Sequence, residues 1–242
     1  MSPLFLLIET STSACSVALS QSEDLLAVQR LQEPREQARL LIPLIEQILE
    51  EQHVSLDQCS AIAVSAGPGS YTGLRVGASS AKGLCFGIEK PLIAINSLQI
   101  IVQNCIDQLE AEGALSSLSP QTTFIPMMDA RRMEVYCAHY SIDGEELSPT
   151  QAKIIDADSF QDELSCHPVI FTGDGAQKCQ SLLTHPHARF VPLYPSAEGM
   201  RLAVYKAWLQ KKFVDVAYFE PNYLKDFVTG KACPLVPLTA PK

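Results

Sequence analysis

The sequence predicts an α/β protein of two lobes, each built from the same βββαβαβα unit. Three observations support this prediction. Short apolar or alternating segments typical of strands are separated by segments with apolar residues at helical spacing. The order of these segments in the first half of the 242-residue chain recurs in the second half. Both halves also place an acidic residue at the end of their first strand, Glu9 and Asp129.

The first half begins with three short segments separated by turn residues, as expected for an antiparallel meander. A long helix follows, with Leu41 and Ile45 at helical spacing. Pro43 lies inside that pattern and should kink the helix or mark its first turn. The predicted elements are strands at 4–8, 14–19 and 24–30, a helix at 35–52, a strand at 60–65, a helix at 72–87, a strand at 92–95 and a helix at 97–110.

The second half repeats this order. Gly, Ser and Pro accumulate in residues 110–121, which predicts a linker between a first lobe at 1–109 and a second lobe at 122–242. The predicted elements are strands at 123–128, 134–140 and 150–155, a helix at 158–164, a strand at 168–172, a helix at 175–183, a strand at 189–191 and a helix at 197–211.

A doubled unit of this kind resembles the actin, hexokinase and sugar-kinase (ASKHA) superfamily, whose two lobes face each other across a cleft. That resemblance implies that the hairpins after the acidic strand ends handle phosphates and metal, and that a later Gly-rich loop touches adenosine. Fold alone does not fix function. The residues expected at such a cleft are Glu9, Thr10, Asp129, Arg131, Arg132, Gly173, Asp174 and Gly175.

Composition narrows the functional classes. The chain has 18 basic and 27 acidic residues and a net charge of -9, so no general attraction to nucleic-acid backbones is expected, and a partner would hold most of any RNA.

The start of the chain lacks a basic signal-peptide region, and no apolar stretch has membrane-spanning length, so we expect a cytoplasmic protein. Its eight cysteines form no C-x-x-C pair, which predicts reduced, mostly buried thiols.

The segment "GPGSYTGLR" at 67–75 is not a nucleotide-binding loop of a known type. It has Leu74 and Arg75 where a Walker A loop has lysine and a hydroxyl residue. It also has one residue too many between its second and third glycines for a Rossmann fingerprint. The sequence therefore predicts that something other than a nucleotide phosphate approaches this backbone closely.

The helix after this loop carries small residues on one face, because Gly73, Gly77 and Ala81 recur every four residues. Such a face suits close packing, either in the chain's own core or against another subunit. We favour another subunit, because the opposite face can serve the core through Leu74 and Cys85. The predicted partner or dimer interface comprises Leu41, Leu44, Ile45, Ile48, Gly73, Gly77, Ala81 and Leu84.

The segments "LFLLIETSTSACSVAL", "GPGSYTGLRVGASSAKGL" and "DARRMEVY" resemble the TsaB (YeaZ) family, and so do "GDGA" at 173–176 and "PNYLKD" at 221–226. That family takes part in forming threonylcarbamoyladenosine on tRNA. The resemblance implies pairing through first-lobe helices, as a homodimer or with the catalytic subunit TsaD, and a TsaE-like ATPase as a further component. It implies no intrinsic cofactor and only indirect contact with tRNA, and it leaves ATP or ADP open as a ligand of the assembled complex.

Catalytic residues are missing from the positions where TsaD has them. TsaD has an H-x-x-x-H metal motif, and the corresponding positions here are Ser97 and Ile101. Isoleucine cannot bind a metal, so we expect no metal site and no catalytic residues. No Ser or Cys is coupled by sequence context to a His and an acid as in a hydrolase.

Two alternatives remain open. Glu9 and Asp129 could hold Mg²⁺ in a small ATP-dependent kinase, although the "ARR" after Asp129 lacks the glycine of a phosphate loop. The chain could also be a stand-alone homodimeric binding module. One departure from the family affects the predicted interface, since TsaB proteins usually begin the first long helix with an "HSE"-like segment, and this chain has Gln37, Ala38 and Arg39 there.

Overall fold

The computed structural model describes residues 2–31 and 36–224. The elements of the first half are β1 (Leu4–Glu9), β2 (Cys15–Gln21), β3 (Asp24–Leu31), α1 (Gln37–Glu51), β4 (Ala61–Ser65), α2 (Tyr71–Ile88), β5 (Leu92–Ile95) and α3 (Ser97–Ala111). Those of the second half are β6 (Thr123–Asp129), β7 (Glu134–Cys137), β8 (Gln151–Ile154), α4 (Gln161–Cys166), β9 (Val169–Thr172), α5 (Ala176–Cys179), β10 (Ala188–Val191) and α6 (Arg201–Leu209).

The two halves form sheets of identical order, which confirms the predicted fold class. The first sheet runs β3-β2-β1-β4-β5, and the second runs β8-β7-β6-β9-β10. In each sheet the first strand pairs antiparallel with the second and parallel with the fourth, as β1 does with β2 and β4. The carboxyl ends of β1 and β6 are therefore equivalent positions, and they carry Glu9 and Asp129.

Several predicted boundaries are shifted. The strand predicted at 134–140 ends at Cys137, and the helix predicted at 197–211 is a 3₁₀ turn at Ala197–Met200 followed by α6. Pro43 does not mark the first turn of α1, because the helix begins at Gln37 and continues through Pro43 to Glu51.

The first sheet is covered on both faces, because neighbouring residues of a strand point to opposite sides. Leu6 and Ile8 of β1 join a core cluster with residues of α1 and α2. Phe5 and Leu7 point the other way and pack with Met200 and other residues of the C-terminal part. Residues 197–209, which the sequence predicts to be part of the second lobe, thus cover the first sheet.

The last described segment also returns to the first lobe. Val214 bridges to Leu92 at the end of the first sheet, and Phe219 packs against the same core cluster. Lys82 of α2 donates hydrogen bonds to the carbonyl oxygens of Ala217 and Phe219, at 3.0 and 3.1 Å. Residues 213–224 are therefore fixed against α2 and lead to the carboxyl end of β1. Lys225 and Asp226, the end of the "PNYLKD" motif, lie outside the described residues.

Cysteines in the described part of the chain are free thiols, and all but Cys166 are buried. Burial raises the pKa of the Cys105 thiol to about 11 and that of Cys59 to about 11. Cys233 lies outside the described residues. Within residues 2–31 and 36–224, no helix combines the length and the apolar character that crossing a bilayer requires.

Candidate functional site

A cavity of about 610 Å³ lies between the carboxyl ends of β1 and β6. One wall is formed by the loop after β1 and by the first turn of α2, and the other by the β6–β7 hairpin. The returning segment, which we define as residues 213–224, closes part of the rim of this cavity. The described lining comprises residues 11–13, 68–72, 128–131, 136, 174 and 222–224.

The glycine loop before α2 is shaped by contacts within the chain. A Cβ built on Gly69 would lie 2.3 Å from the carbonyl oxygen of Ser11, and one on Gly67 would lie 2.6 Å from that of Asn222. Ser70 N–H donates to the Ser11 carbonyl at 2.6 Å, and Asn222 N–H donates to that of Ala66 at 2.7 Å. Glycine is required here because the loop after β1 and the returning segment both touch this backbone.

Glu9 lies behind the cavity wall rather than in it. Its side chain is fully buried, and its Oε1 accepts a hydrogen bond from Ser11 N–H at 2.5 Å. Its Oε2 has no partner among the described residues. Burial raises the pKa of the Glu9 carboxyl to about 7, more than the hydrogen bonds lower it. Thr10 is also fully buried, so these two predicted cleft residues do not line the cavity.

Asp129, the equivalent acid of the second lobe, lines the cavity and already has partners. Its Oδ1 accepts hydrogen bonds from Lys178 Nζ and from the backbone N–H of Arg131, the latter at 2.8 Å. Its own backbone N–H donates to Asp174 Oδ1 at 3.2 Å. Burial raises the pKa of the Asp174 carboxyl. Lys178 also donates to the Glu134 carbonyl at 2.7 Å, which fixes it at the base of the hairpin.

The β6–β7 hairpin carries two consecutive residues in the left-handed region. Arg131 has φ of 72° and Arg132 has φ of 51°, and both are exposed. For residues other than glycine, this conformation costs about 1–2 kcal/mol each. The hairpin tip is therefore strained at two arginines beside the cavity.

Gly173 and Gly175, predicted to belong to an adenosine loop, pack against β6. A Cβ on Gly173 would lie 2.4 Å from the Met127 carbonyl oxygen, and one on Gly175 would lie 3.0 Å from Asp129 N. Gly175 N–H donates to the same Met127 carbonyl at 2.9 Å. These glycines hold the turn against the end of β6, which brings Asp174 into the cavity wall.

The predicted partner face of α2 is buried in the chain's own interior. A Cβ on Gly73 would lie 2.1 Å from the Thr10 carbonyl oxygen, and one on Gly77 would lie 2.2 Å from Thr10 Oγ1. Ala81 is fully buried in the core of the first lobe. The prediction that this face meets another subunit is therefore wrong for these three residues, since the end of β1 occupies the space that they leave.

The apolar part of the predicted interface needs the same correction. Its members on α1 pack against the first sheet, and Leu84 of α2 is half-buried against the same core. They follow helical periodicity because they face the sheet. The buried α1 residues are Leu41, Leu44, Ile45 and Ile48.

The opposite faces of α1 and α2 are the exposed ones. Phe86 is 83% exposed and Ile42 is 40% exposed. Nothing lies within 4 Å of a Cβ built on Gly83 or Gly87. Together with Ser79, these glycines repeat the four-residue spacing, so a signal for this second small-residue face was present in the sequence and was missed. We define the outer helix face as Ile42, Pro43, Ser79, Gly83, Phe86 and Gly87.

The three residues at the start of α1 that depart from the family pattern, 37–39, lie partly in the interior and partly on the surface. Gln37 is buried, and its Nε2 donates to the carbonyl oxygens of Thr12 at 2.6 Å and Ala14 at 3.2 Å. Ala38 and Arg39 are exposed. Gln37 therefore ties α1 to the loop after β1, and of these three residues only Ala38 and Arg39 lie on the surface.

One side-chain grouping was not visible in the sequence. His139 Nδ1 lies 2.8 Å from Ser148 Oγ, and its Nε2 lies 3.1 Å from Glu163 Oε1. Ser148 Oγ also accepts the backbone N–H of His139 at 2.9 Å. The group ties the loop before β8 to α4, and the serine oxygen is engaged by the backbone.

Comparison with known proteins identifies the family. The family described as "TsaD: tRNA N6-adenosine threonylcarbamoyltransferase" matches residues 33–234. The "tRNA threonylcarbamoyladenosine biosynthesis protein TsaB" of Escherichia coli K12 is 31% identical over 240 residues, which cover 95% of this chain and 97% of the relative. The chain belongs to the TsaB (YeaZ) family. The TsaB of Haemophilus influenzae is 30% identical over 95% of this chain and 96% of its own length.

Solved structures agree with this assignment to TsaB. The structure "YeaZ from Pseudomonas aeruginosa" has a TM-score of 0.75 and 28% identity, and the match covers 92% of this chain and 100% of that one. TsaB and TsaD are also related in sequence. A "tRNA N6-adenosine threonylcarbamoyltransferase" of Symbiobacterium thermophilum is 46% identical over 65 residues, which span 27% of this chain and 19% of the transferase.

In this TsaB-family chain, the two positions expected to carry the metal ligands of TsaD lie in the interior. Ser97 and Ile101 are on the first turns of α3 and are fully buried. No group of three or more His, Cys, Asp or Glu side chains within residues 2–31 and 36–224 is placed to hold a metal ion.

Proposed function

We propose that this chain is a non-catalytic subunit that binds a TsaD-like threonylcarbamoyltransferase and activates it for threonylcarbamoyladenosine formation beside the tRNA anticodon. The observation that supports it best is the outer helix face. It exposes apolar side chains on α1 and α2 next to glycines with open space above them. Exposed apolar patches of this kind on a folded chain are typical of protein–protein contacts.

A TsaD-like chain is the partner that this face fits best. The family match to TsaD over residues 33–234 indicates that such a partner has a related fold with helices equivalent to α1 and α2. Two related chains can pair equivalent surfaces about an approximate two-fold axis. Bare glycines let the facing helix approach closely, and Phe86 supplies apolar area. In isolation the same face would support a homodimer, which would compete with the heterodimer.

The non-catalytic role is supported by the placement of the candidate catalytic residues. Ser97 and Ile101 cannot replace two histidines as metal ligands. The kinase alternative needs two acids that face the same metal, but Glu9 is buried behind the wall with a pKa of about 7, and Asp129 is paired with Lys178. With its pKa raised to about 7, the Glu9 carboxyl carries its proton in a substantial fraction of molecules near neutral pH, which weakens it as a ligand for Mg²⁺.

The other components follow from the role of the family. We propose that a TsaE-like ATPase acts on the assembled pair, that the TsaD-like subunit makes most contacts with tRNA, and that ATP or ADP binds the assembly. The net charge of -9 fits a subunit that leaves most of the RNA to a partner.

Reconstitution tests this proposal. Purified TsaD-like and TsaE-like proteins, the adenylate-forming enzyme and tRNA are combined with and without this chain, and modified adenosine is measured. We expect modification only when the chain is present, and we expect Glu9→Gln to support it as well as the unmodified chain does. Modification at the same rate without the chain would refute the role, and ATP hydrolysis by the isolated chain that is lost in Glu9→Ala would support the kinase instead.

A further inference from the structure

A turn of the returning segment, residues 215–219, is tied to α2 by hydrogen bonds. Asp215 Oδ1 accepts the backbone N–H of Tyr218 at 3.1 Å, and the Asp215 carbonyl oxygen accepts Phe219 N–H at 2.8 Å. Lys82 of α2 donates to the carbonyl oxygens of the residues on either side of Tyr218. The Phe219 side chain packs into the core cluster of the first lobe. The backbone of Tyr218 is therefore held in place from both sides.

The Tyr218 side chain extends from this anchored backbone into solvent. It is 84% exposed, and Phe86 of the outer helix face is 83% exposed. Among the described residues, these are the two most exposed large hydrophobic side chains. A ring carried on a fixed backbone loses little conformational entropy when a partner covers it. Tyr218 is therefore well suited to be a contact residue.

Tyr218 lies at the edge of the outer helix face, on the side away from α1. Phe86 follows Lys82 by four residues, so the two side chains lie one turn apart on the same side of α2. The opposite edge of α2 meets α1, since a Cβ built on Gly73 would lie 3.1 Å from Gln37 Oε1. Gly73 and Lys82 are about two and a half turns apart, which places them on opposite sides of the helix. The exposed apolar surface therefore extends from α1 across α2 to the turn that carries Tyr218.

Acidic side chains lie near the two exposed rings. Three of them, each within three residues of one ring or the other, are exposed: Glu89, Asp215 and Glu220. The lysines of the same region, Lys82 and Lys90, are half-buried, and Lys82 is engaged by backbone carbonyls. A second copy of this chain would bring the same acids to the contact, whereas a partner with basic side chains would be attracted. Arginine also stacks favourably on aromatic rings.

We propose that Tyr218 anchors the TsaD-like transferase, which covers Tyr218 and Phe86 together with apolar and basic side chains. The family match to TsaD over residues 33–234 includes α1, α2 and the returning segment. A partner of related fold therefore has counterparts of all three elements. Buried tyrosines are among the residues that contribute most to the affinity of protein contacts. The inference rests on the proposed function and adds to it a third contact element and the basic character of the partner surface.

The test measures the affinity of the full chain for the purified transferase by calorimetry, at low and at high salt. The test variant is Tyr218→Ala. Tyr194→Ala is the matched control, because Tyr194 is 58% exposed and lines a cavity beside Asp107 of α3 instead of the surface of α2. A further variant, Lys82→Met, removes the hydrogen bonds that hold the turn, and it is made alone and together with Tyr218→Ala.

We expect Tyr218→Ala to bind the transferase roughly tenfold more weakly or worse. Its urea midpoint should not change, because the side chain is exposed. Tyr194→Ala should keep the affinity of the unmodified chain. Lys82→Met should also weaken binding, but it should add little when residue 218 is already alanine, because Lys82 acts by holding Tyr218. Added salt should weaken binding of the unmodified chain.

The outcomes separate this inference from the proposed function. If the unmodified chain binds the transferase and Tyr218→Ala binds equally well, the inference is overturned and the proposed function stands. If the unmodified chain does not bind the transferase, both are refuted. Loss of self-association in Tyr218→Ala with unchanged transferase affinity would show that a second copy covers this surface, against the inference. Affinity that is independent of salt would overturn the basic character of the partner surface.

Discussion

Thr10, which directly follows β1, occupies the space that a side chain on Gly77 of α2 would need. A Cβ built on Gly77 would stand 2.2 Å from Thr10 Oγ1, and Val64 lies 3.3 Å from the same point. Real Cβ atoms do not approach other heavy atoms so closely, so glycine at this position lets α2 lie directly on the first sheet. The contact joins α2, which carries four of the six residues of the outer helix face, to the strand that leads into the cavity.

Stability of the isolated chain should fall when this space is filled. Gly77→Ala is expected to lower the free energy of unfolding by about 2 kcal/mol, because the added methyl forces Thr10 or α2 to move. Gly83→Ala is the control on the same helix, where nothing lies within 4 Å of the new Cβ. It should raise the free energy of unfolding by about 0.5–1 kcal/mol through helix propensity. Urea unfolding measures both, and equal stability of the two variants would contradict the packing described.

Glu9 should make stability depend on pH. Between its ordinary pKa of 4.5 and its folded value of about 7, the unfolded chain releases the Glu9 proton and the folded chain keeps it. The folded state then binds more protons, so this group lowers stability as pH rises through that window. Glu9→Gln stays neutral, and its stability relative to the unmodified chain should rise by about 3 kcal/mol across the window. A difference that does not change with pH would show that Glu9 titrates normally.

An ion pair between α3 and α6 should contribute to the attachment of the C-terminal segment. Arg201 Nη1 lies 2.5 Å from Asp107 Oδ2, and Nη2 lies 2.9 Å from Oδ1, with both side chains mostly buried. A double-mutant cycle with Arg201→Met and Asp107→Ala should give a coupling free energy of about 1–2 kcal/mol. The exposed pair Lys206 and Glu145, at 2.7 Å, should give about 0.5 kcal/mol or less. Equal coupling in the two cycles would refute the special role of the bidentate pair.

Much of the fold could be predicted because it depends on local pattern. Apolar spacing and turn residues gave both βββαβαβα units, since each strand or helix shows its buried face in its own sequence. The return of residues 197–224 to the first lobe was not predictable in this way. It depends on packing of Met200 and Phe219 against strands from the other end of the chain.

The site was predicted less well because its geometry depends on contacts between distant segments. The four-residue spacing in α2 occurs twice, and spacing alone does not say which face meets the sheet. In the structure, Leu74 and Ala78 are buried together with Gly77, so the face that carries Gly77 is the one that meets the sheet. Glu9 was placed in the cleft because it ends β1, but the turn at Ser11 encloses its carboxyl group. The strain at Arg131 has no sequence signal, since arginine does not predict positive φ.

Association of this chain with a TsaD-like transferase, measured for Gly83→Leu and for the unmodified chain, tests the central claim most directly. Leucine at Gly83 projects from the outer helix face into open space and improves helix propensity, so the variant should fold at least as stably. We expect the unmodified chain to co-elute with the transferase and the stable Gly83→Leu variant to elute alone. Co-elution of Gly83→Leu with unchanged affinity would contradict the claim that the outer helix face binds the catalytic subunit.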